Sequence, residues 1–324
     1  MQIVVENLAK TFRVAERAVG MGGALRGLVR RKQRVVTALG DVSFSLKAGE
    51  LVGYIGPNGA GKSTTIKILA GILVPDSGRV EIDGRVPWQQ RIEHVRRIGV
   101  VFGQRTQLWW DLPVVESLEM LRHIYKVPRE QFVALRDELI ELLDLTALLD
   151  TPVRQLSLGQ RMRADLAASL VHAPSILFLD EPTIGLDAVS KLAVRGFVKR
   201  LNRERGVTVI LTTHDMDDIE ALCERVIVIG DGKILSDGTL TDLRNRVTRE
   251  RWLTIDISDG SAASVGDPDA TVIRLEGERV CLAFDPDIVT PAELIRRVTS
   301  RHAVRDLFVE NPPIETVIAR MYQR

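Results

Sequence analysis

Residues 51–67, LVGYIGPNGAGKSTTIK, constrain this chain more than any other stretch. They read as an apolar strand, a glycine-rich turn and the start of a helix. Gly56, Gly59 and Gly61 let the backbone curl until successive N–H groups face one point, and the helix that follows adds its positive N-terminal end. Such a turn cradles phosphate oxygens. The run from Gly56 through Pro57, Asn58, Gly59, Ala60, Gly61 and Lys62 to Ser63 has the G-x-x-x-x-G-K-S spacing, with Thr64 next in the first helical turn. In that pattern Lys62 reaches the β- and γ-phosphates and the Ser63 hydroxyl ligates Mg²⁺. The same string also arises by chance in plain glycine turns; the strand before it and the helix after it argue against that here.

A chain of 324 residues has room for one large domain of about 200 to 250 residues and a smaller companion. With 45% apolar and 27% charged residues the balance is globular, and a formal net charge of +1 gives no overall electrostatic case for nucleic acid. Cys223 and Cys281 lie far apart and form no C-x-x-C pair. This argues against a zinc site or a disulfide framework and fits a reducing compartment. The opening MQIVVENLAKTF lacks the basic start and apolar core of a secretion signal, and no uninterrupted apolar run reaches the ~18 residues of a membrane span.

Along the chain, residues 2–6 alternate as a strand, and Phe12 follows. Residues 13–35 form a basic insertion, with Arg17, Arg26, Arg30, Arg31, Lys32 and Arg34 against the single acid Glu16. Leu25, Leu28 and Val29 share one helical face within it, so it reads either as a solvated surface segment or as a short basic helix that meets anionic lipid. The strand IGVVF ends at Phe102, and the polar Gln104 stands just beyond. Residues from about 105 to 172 carry apolar side chains at helical spacing and predict a helical subdomain, entered by Leu108, Trp109 and Trp110. Two adjacent tryptophans cannot share one helix face, so one meets a partner or a neighbouring subdomain.

Ser157, in QLSLGQ, sits at the N-cap of a long helix that closes before Pro174. The next run, SILFLDEP, is a continuous apolar strand of the kind buried on both faces of a parallel sheet, with Asp180 and Glu181 at its carboxyl end. Open α/β sheets bind ligands at that end. Asp187 follows in GLD, His214 stands just past the strand VTVILTT, and Asp231-Gly232 between two apolar runs marks a two-residue hairpin. The large domain is expected to end near Arg246.

In this order the features resemble the nucleotide-binding subunit of an ABC transporter over residues 1 to about 246. The resemblance implies a P-loop NTPase cassette of the α/β class, with a RecA-like core, an antiparallel β subdomain and the helical subdomain. It assigns residues 56–64 to the phosphates of ATP, Phe12 to stacking on adenine, Asp187 to the D-loop and residues 156–160, LSLGQ, to the signature. It implies that Ser63, Gln104 and Asp180 hold Mg²⁺, and that Lys62, Gln104, Glu181 and His214 carry catalysis, Glu181 polarising the attacking water and His214 keeping the γ-phosphate in register. Ser157, Gly159 and Gln160 are implied to meet ATP bound to a second copy, in a head-to-tail dimer. Leu158 replaces the first glycine of the common LSGGQ, and a side chain there restricts the backbone.

Narrower strings, VPW at 86–88, QLWWDLP at 107–113, LSLGQRMR and DEPTIGLD, resemble cassettes of type-2 ABC exporters related to drug or viologen export. Their permeases are separate chains. The implied protein is an ATPase on the cytoplasmic face of the cell membrane that drives those permeases, with Trp109 and Trp110 lining the groove that receives them. The competing readings are an importer ATPase and a soluble ABC ATPase acting on nucleic acid or ribosomes. Residues 64–156 have the length of an ordinary helical subdomain and no cysteine, which disfavours the latter.

From Arg251 the pattern changes to short strands, WLTIDIS, TVIRLE and RVCLAF, then a helix with Thr290 as cap, Pro291 at its first position and Glu293 completing a capping box. A further strand and a last helix follow. Residues 247–324 therefore read as a small α/β sandwich. No constellation of polar residues there marks a ligand site, and structural support, including dimerisation, is its expected role.

Overall fold

The computed structural model describes residues 2–15, 33–103, 105–258, 260 and 262–322. The chain forms two compact units, Met1–Gly238 and Thr239–Arg324. In chain order the first contains β1 (Ile3–Ala15), β2 (Gln33–Leu46), β3 (Leu51–Ile55), α1 (Lys62–Leu69), β4 (Ser77–Ile82), α2 (Arg91–Val95) and β5 (Ile98–Phe102). There follow α3 (Val114–Tyr125), α4 (Arg129–Leu142), α5 (Leu158–Leu170), β6 (Ile176–Asp180), α6 (Ala188–Arg205), β7 (Thr208–Thr212), α7 (Met216–Leu222), β8 (Arg225–Gly230) and β9 (Lys233–Thr239).

Strands β5, β6, β7, β3, β8 and β9 lie in that order in one sheet, and the pairs from β5 through β8 are parallel. Every residue of β6 and β7 is buried, as expected of strands covered on both faces. β3 lies between β7 and β8, so the turn leaving its carboxyl end opens in the middle of the sheet. A second, antiparallel sheet has the order β2-β1-β4, with Ile3 facing Leu46 on one side and Ile82 on the other. Ile66 and Leu69 of α1 share one core with Tyr54, Phe178 and Ile210 of the parallel sheet and with Val5, Leu8 and Phe44 of the antiparallel one. The helix that follows the glycine turn is thus held by both sheets.

Two sequence expectations change here. Strands β1 and β2 stay paired far beyond residue 13, with Arg13 opposite Val35 and Val14 opposite Arg34, so the basic insertion shrinks from 13–35 to 16–32. Those residues, with Leu25, Leu28, Val29 and the lipid-facing helix read from them, lie outside the described ones. The domain boundary also moves, from near Arg246 to residue 238, because α8 (Leu240–Val247) packs on the last helix, α10 (Ile314–Tyr322). The hairpin between β8 and β9 turns on Asp231 and Gly232, whose φ angles of 47° and 73° suit a tight two-residue turn.

The second unit also holds β10 (Arg251–Ile257), β11 (Ala270–Glu276), β12 (Arg279–Phe284), α9 (Pro291–Thr299) and β13 (Val304–Glu310). Its antiparallel sheet has the order β11-β12-β10-β13. Leu253, Ile255 and Ile257 of β10 pack with Leu294 and Val298 of α9. Thr290 caps α9 through the Glu293 N–H, but the Glu293 carboxylate pairs with Arg296 and Arg297 instead of closing a capping box. No helix among the described residues is long and apolar enough to cross a membrane.

Candidate functional site

The turn between β3 and α1 is shaped by backbone that leaves no room for side chains. A Cβ on Gly56 would stand 2.3 Å from the Ile229 carbonyl oxygen, and one on Gly61, at φ +107°, would stand 2.5 Å from that of Ala38. Lys62, 7% exposed, donates from Nζ to the carbonyls of Gly56 at 2.6 Å and Pro57 at 3.2 Å. Burial pulls its pKa down, while the carboxylates of Glu181 and Asp180 push it back up. Pro57, Asn58, Gly59, Gly61, Lys62, Ser63 and Thr64 line one side of a cavity of about 480 Å³, faced by Glu181, Ile184 and His214. A lysine, a helix N-terminus and a curled backbone on one wall make an anion site.

Opposite stands the end of β6. Asp180 pairs in register with Thr212 of β7, and its Oδ1 accepts hydrogen bonds from Thr212 Oγ1 at 2.5 Å and Ser63 Oγ at 3.2 Å. Two hard oxygen donors, one of them ionisable, converge there, which is the donor set that Mg²⁺ takes when it keeps most of its waters. Glu181 follows with φ 57°, a left-handed conformation that a side chain adopts at a cost. Its N–H bonds the Thr212 carbonyl at 2.9 Å, and its Oε2 lies 2.6 Å from His214 Nδ1. Gly103 lies directly behind this turn. Its N–H donates to the Asp180 carbonyl at 2.7 Å, and a Cβ on it would stand 2.0 Å from the Glu181 carbonyl oxygen. The chain that delivers Gln104 is therefore pressed onto the Asp180–Glu181 turn; Gln104 itself lies outside the described residues.

The remaining sequence candidates stand apart from that cavity. Ser157 caps α5, accepting from Gln160 N–H, while Gln160 Oε1 accepts from Ser157 N–H at 2.8 Å. Asp187 caps α6, accepting from Ser190 N–H and Ser190 Oγ at 2.9 Å each. Gly159 lies against this second cap, since a Cβ there would come within 2.3 Å of Ser190 Oγ. Leu158 is the first residue of α5 and has no positive φ, so the freedom of glycine is not needed at this position. Phe12, 36% exposed on β1, has Lys10 Nζ 5.8 Å from its ring centre. Neither it nor Ser157, Gly159, Gln160 or Asp187 lines the cavity beside Lys62.

Sequence reasoning missed two buried acids. Asp218 on α7 is fully buried; it accepts from Thr183 Oγ1, from Thr213 Oγ1 at 3.3 Å and from Arg195 Nε at 2.5 Å. It thereby ties the turn after Glu181 to the residue before His214. Asp165 on α5 is 4% exposed, and its Oδ1 accepts from Thr106 Oγ1 at 2.8 Å and Gln107 N–H at 3.0 Å. Gln107 Nε2 donates in return to the Asp165 carbonyl at 2.9 Å. Helix α5 thus grips the segment just beyond residue 104. The available signal was an acid inside an otherwise small and uncharged helical run, ADLAASL.

Comparison with known proteins agrees with this geometry. The family model for the ABC transporter matches residues 39–184. The linearmycin resistance ATP-binding protein LnrL of Bacillus subtilis (strain 168) is 32% identical over 298 residues, 89% of this chain and 94% of that protein. The methionine import ATP-binding protein MetN of Latilactobacillus sakei subsp. sakei (strain 23K) is 34% identical over 214 residues, 65% of this chain and 62% of that protein. Among solved structures, a dimeric post-hydrolysis state of an ATP-binding cassette bound to ADP and Pi aligns with a TM-score of 0.62 and 28% identity, over 74% of this chain and 98% of that one. The chain belongs to the ATP-binding subunits of ABC transporters. It is an ATP-hydrolysing transporter subunit with a P-loop NTPase fold, of a class whose cassettes dimerise and partner with transmembrane subunits.

Burial raises the pKa of Asp165 from 3.8 to about 6, against the pull of its hydrogen bonds from Gln107 and Thr106. Between those values the folded state keeps a proton that the unfolded chain has lost, so this group's contribution to stability falls as pH rises to about 6 and is level above. Asp165→Asn removes the titration. Urea unfolding at a series of pH values should show the variant gaining about 3 kcal/mol on the wild type between about pH 4 and pH 7. A difference independent of pH would contradict the burial of this charge.

Proposed function

We propose that this chain is the motor of an ABC exporter, working as a head-to-tail homodimer at the inner face of the cell membrane on separately encoded permeases. One observation carries the direction of transport. The likeness to the linearmycin resistance protein runs over 298 residues, more than the 238 of the first unit, and so must extend into the second. The likeness to the methionine import protein covers 65% of this chain, against 89% for the resistance protein.

The chemistry follows from the residues around the cavity. Backbone N–H groups of residues 58–64 and the Lys62 ammonium neutralise the phosphates, with Lys62 exchanging its carbonyl partners for phosphate oxygens. Ser63 and Asp180, with Gln104, would hold Mg²⁺, which supplies further charge neutralisation between the phosphates when bound. Glu181 orients and polarises a water for in-line attack, and its bond to His214 fixes the carboxylate in one rotamer. Phe12 stacks on adenine from the β1 side. Ser157, Gly159 and Gln160 of one copy complete the site of the other, next to Asp187. Trp110, 51% exposed and 5.6 Å from the Arg161 guanidinium, and the half-buried Trp109 offer an apolar surface for the permease on the helical subdomain.

Glu181→Gln should lower ATP hydrolysis at least about 100-fold while retaining ATP binding, so that the dimer accumulates on gel filtration with ATP. Turnover at the wild-type rate would overturn the role of Glu181. The functional reading is tested by recovering the tagged chain from membranes of its host and identifying what accompanies it by mass spectrometry. The expected companions are multi-spanning proteins released only by detergent, whose recovery falls when Trp109 and Trp110 are both changed to alanine. Ribosomes or repair proteins instead would refute the transport reading, and a substrate-binding protein alongside the permeases would refute export.

A further inference from the structure

The second unit carries, within itself, a cavity of about 530 Å³. It lies where β12 and β13 end and β10 begins. Pro286 and Pro312 turn the chain away just past the two strand ends, and α8 closes the far side. Three arginines reach its lining from three successive pieces of chain: Arg244 from α8, Arg249 from the connector and Arg251 as the first residue of β10. They fall within eight residues of sequence but on a helix, a connector and a strand, so no single periodicity groups them.

Arg244 has a partner of its own, and neither acid of the lining pairs with Arg251. Glu250 is engaged by Arg320 at 2.7 Å. Asp287 is engaged by Arg249 at 2.5 Å, in an exposed pair of the kind that is easily exchanged for another anion. Arg251 is half-buried, its Nε is shut off from solvent, and that atom has no hydrogen-bond partner among the described residues. A buried guanidinium N–H without an acceptor is costly, and its planar fork is complementary to the oxygens of phosphate or carboxylate. Asn245 and Asn311 add amide groups that can donate to the same ligand. A carboxylate is satisfied by a single fork. Arg251 and Arg249 together with these neutral donors suit an anion with three oxygens and more than one charge.

The geometry points to a binding site for a phosphate group in this cavity, with Arg251 as its anchor and Arg249 leaving Asp287 to join it. The phosphate belongs either to a small soluble molecule or to a lipid headgroup. The inference concerns the second unit alone and is independent of the direction of transport.

The test uses the full chain carrying Lys62→Ala, so that the phosphate turn of the first unit does not mask the result. Binding of inorganic phosphate is followed by calorimetry, and binding of phosphatidylcholine vesicles with and without phosphatidic acid by flotation. The expected result is saturable binding to one of these probes that weakens at least about tenfold on Arg251→Ala and is only partly recovered by Arg251→Lys, which keeps charge but not the fork. Binding of free phosphate would identify a soluble ligand, and binding of phosphatidic acid vesicles alone would identify a headgroup. Thermal unfolding of each variant checks that the fold is intact. No saturable binding to either probe, or binding indifferent to Arg251, would overturn the proposal.

Discussion

The end of the first unit that holds Lys62, Asp180 and Glu181 depends on the register of β6 against β7. Apolar runs such as ILFLD and TVILT say that both strands are buried but do not say how they align, since any in-phase slide would bury them equally well. The alignment is set at the polar end, where Asp180 lies opposite Thr212 and receives its hydroxyl hydrogen bond. A slip of one residue would turn Asp180 to the other face of the sheet. Ser63 would lose its partner, Glu181 would no longer reach the Thr212 carbonyl through its N–H, and Gly103 would meet a different backbone.

That dependence explains what could be read from the sequence. The phosphate turn, the strand ending in Asp180, the cap at Ser157 and the hairpin at Asp231-Gly232 are local: each needs only its own few residues to fold as it does. Asp165, Asp218 and Gly103 were missed because their meaning lies in partners far away in the chain. Asp165 meets residues 58 and 59 positions earlier, and Asp218 meets Thr183 35 positions earlier. The long pairing of β1 with β2 was missed for another reason. Residues 13 and 34–36 mix charge with exposed valines, so no period-2 alternation marks them as strand, and only the ladder between them does. The domain boundary was misplaced because α8 is a polar helix by sequence whose unit is decided by its contact with α10.

The two buried carboxylates solve the same problem differently. Asp218 has Arg195 as a counter-ion beside two hydroxyl donors. Asp165 accepts from a hydroxyl and a backbone N–H and has no salt bridge among the described residues, with Arg161 contributing only at longer range, and burial therefore dominates its titration. Asp218 sits where the structure must be rigid, between the Glu181 turn and His214. Asp165 sits on the helical subdomain, where a tie between two segments is directional but carries an uncompensated charge.

This difference bears on how the segment beyond Gly103 is joined to the Ser157 cap. Helix α5 has 13 residues, bears the Ser157 cap at one end and Asp165 two turns further on, about 12 Å along its axis. A short, well-capped helix moves as one piece. Residues 106–107 and the Ser157 cap are thereby joined through Asp165 along one helix, with no loop between them. Leu158 adds to this stiffness. It lies on Gly185, where its Cδ2 comes within 2.9 Å of any Cβ placed there, and Gly159 beside it lies against the Asp187 cap. The leucine that replaces the common glycine gives up backbone freedom that a helical residue does not use, and joins the signature to the turn that carries Asp187.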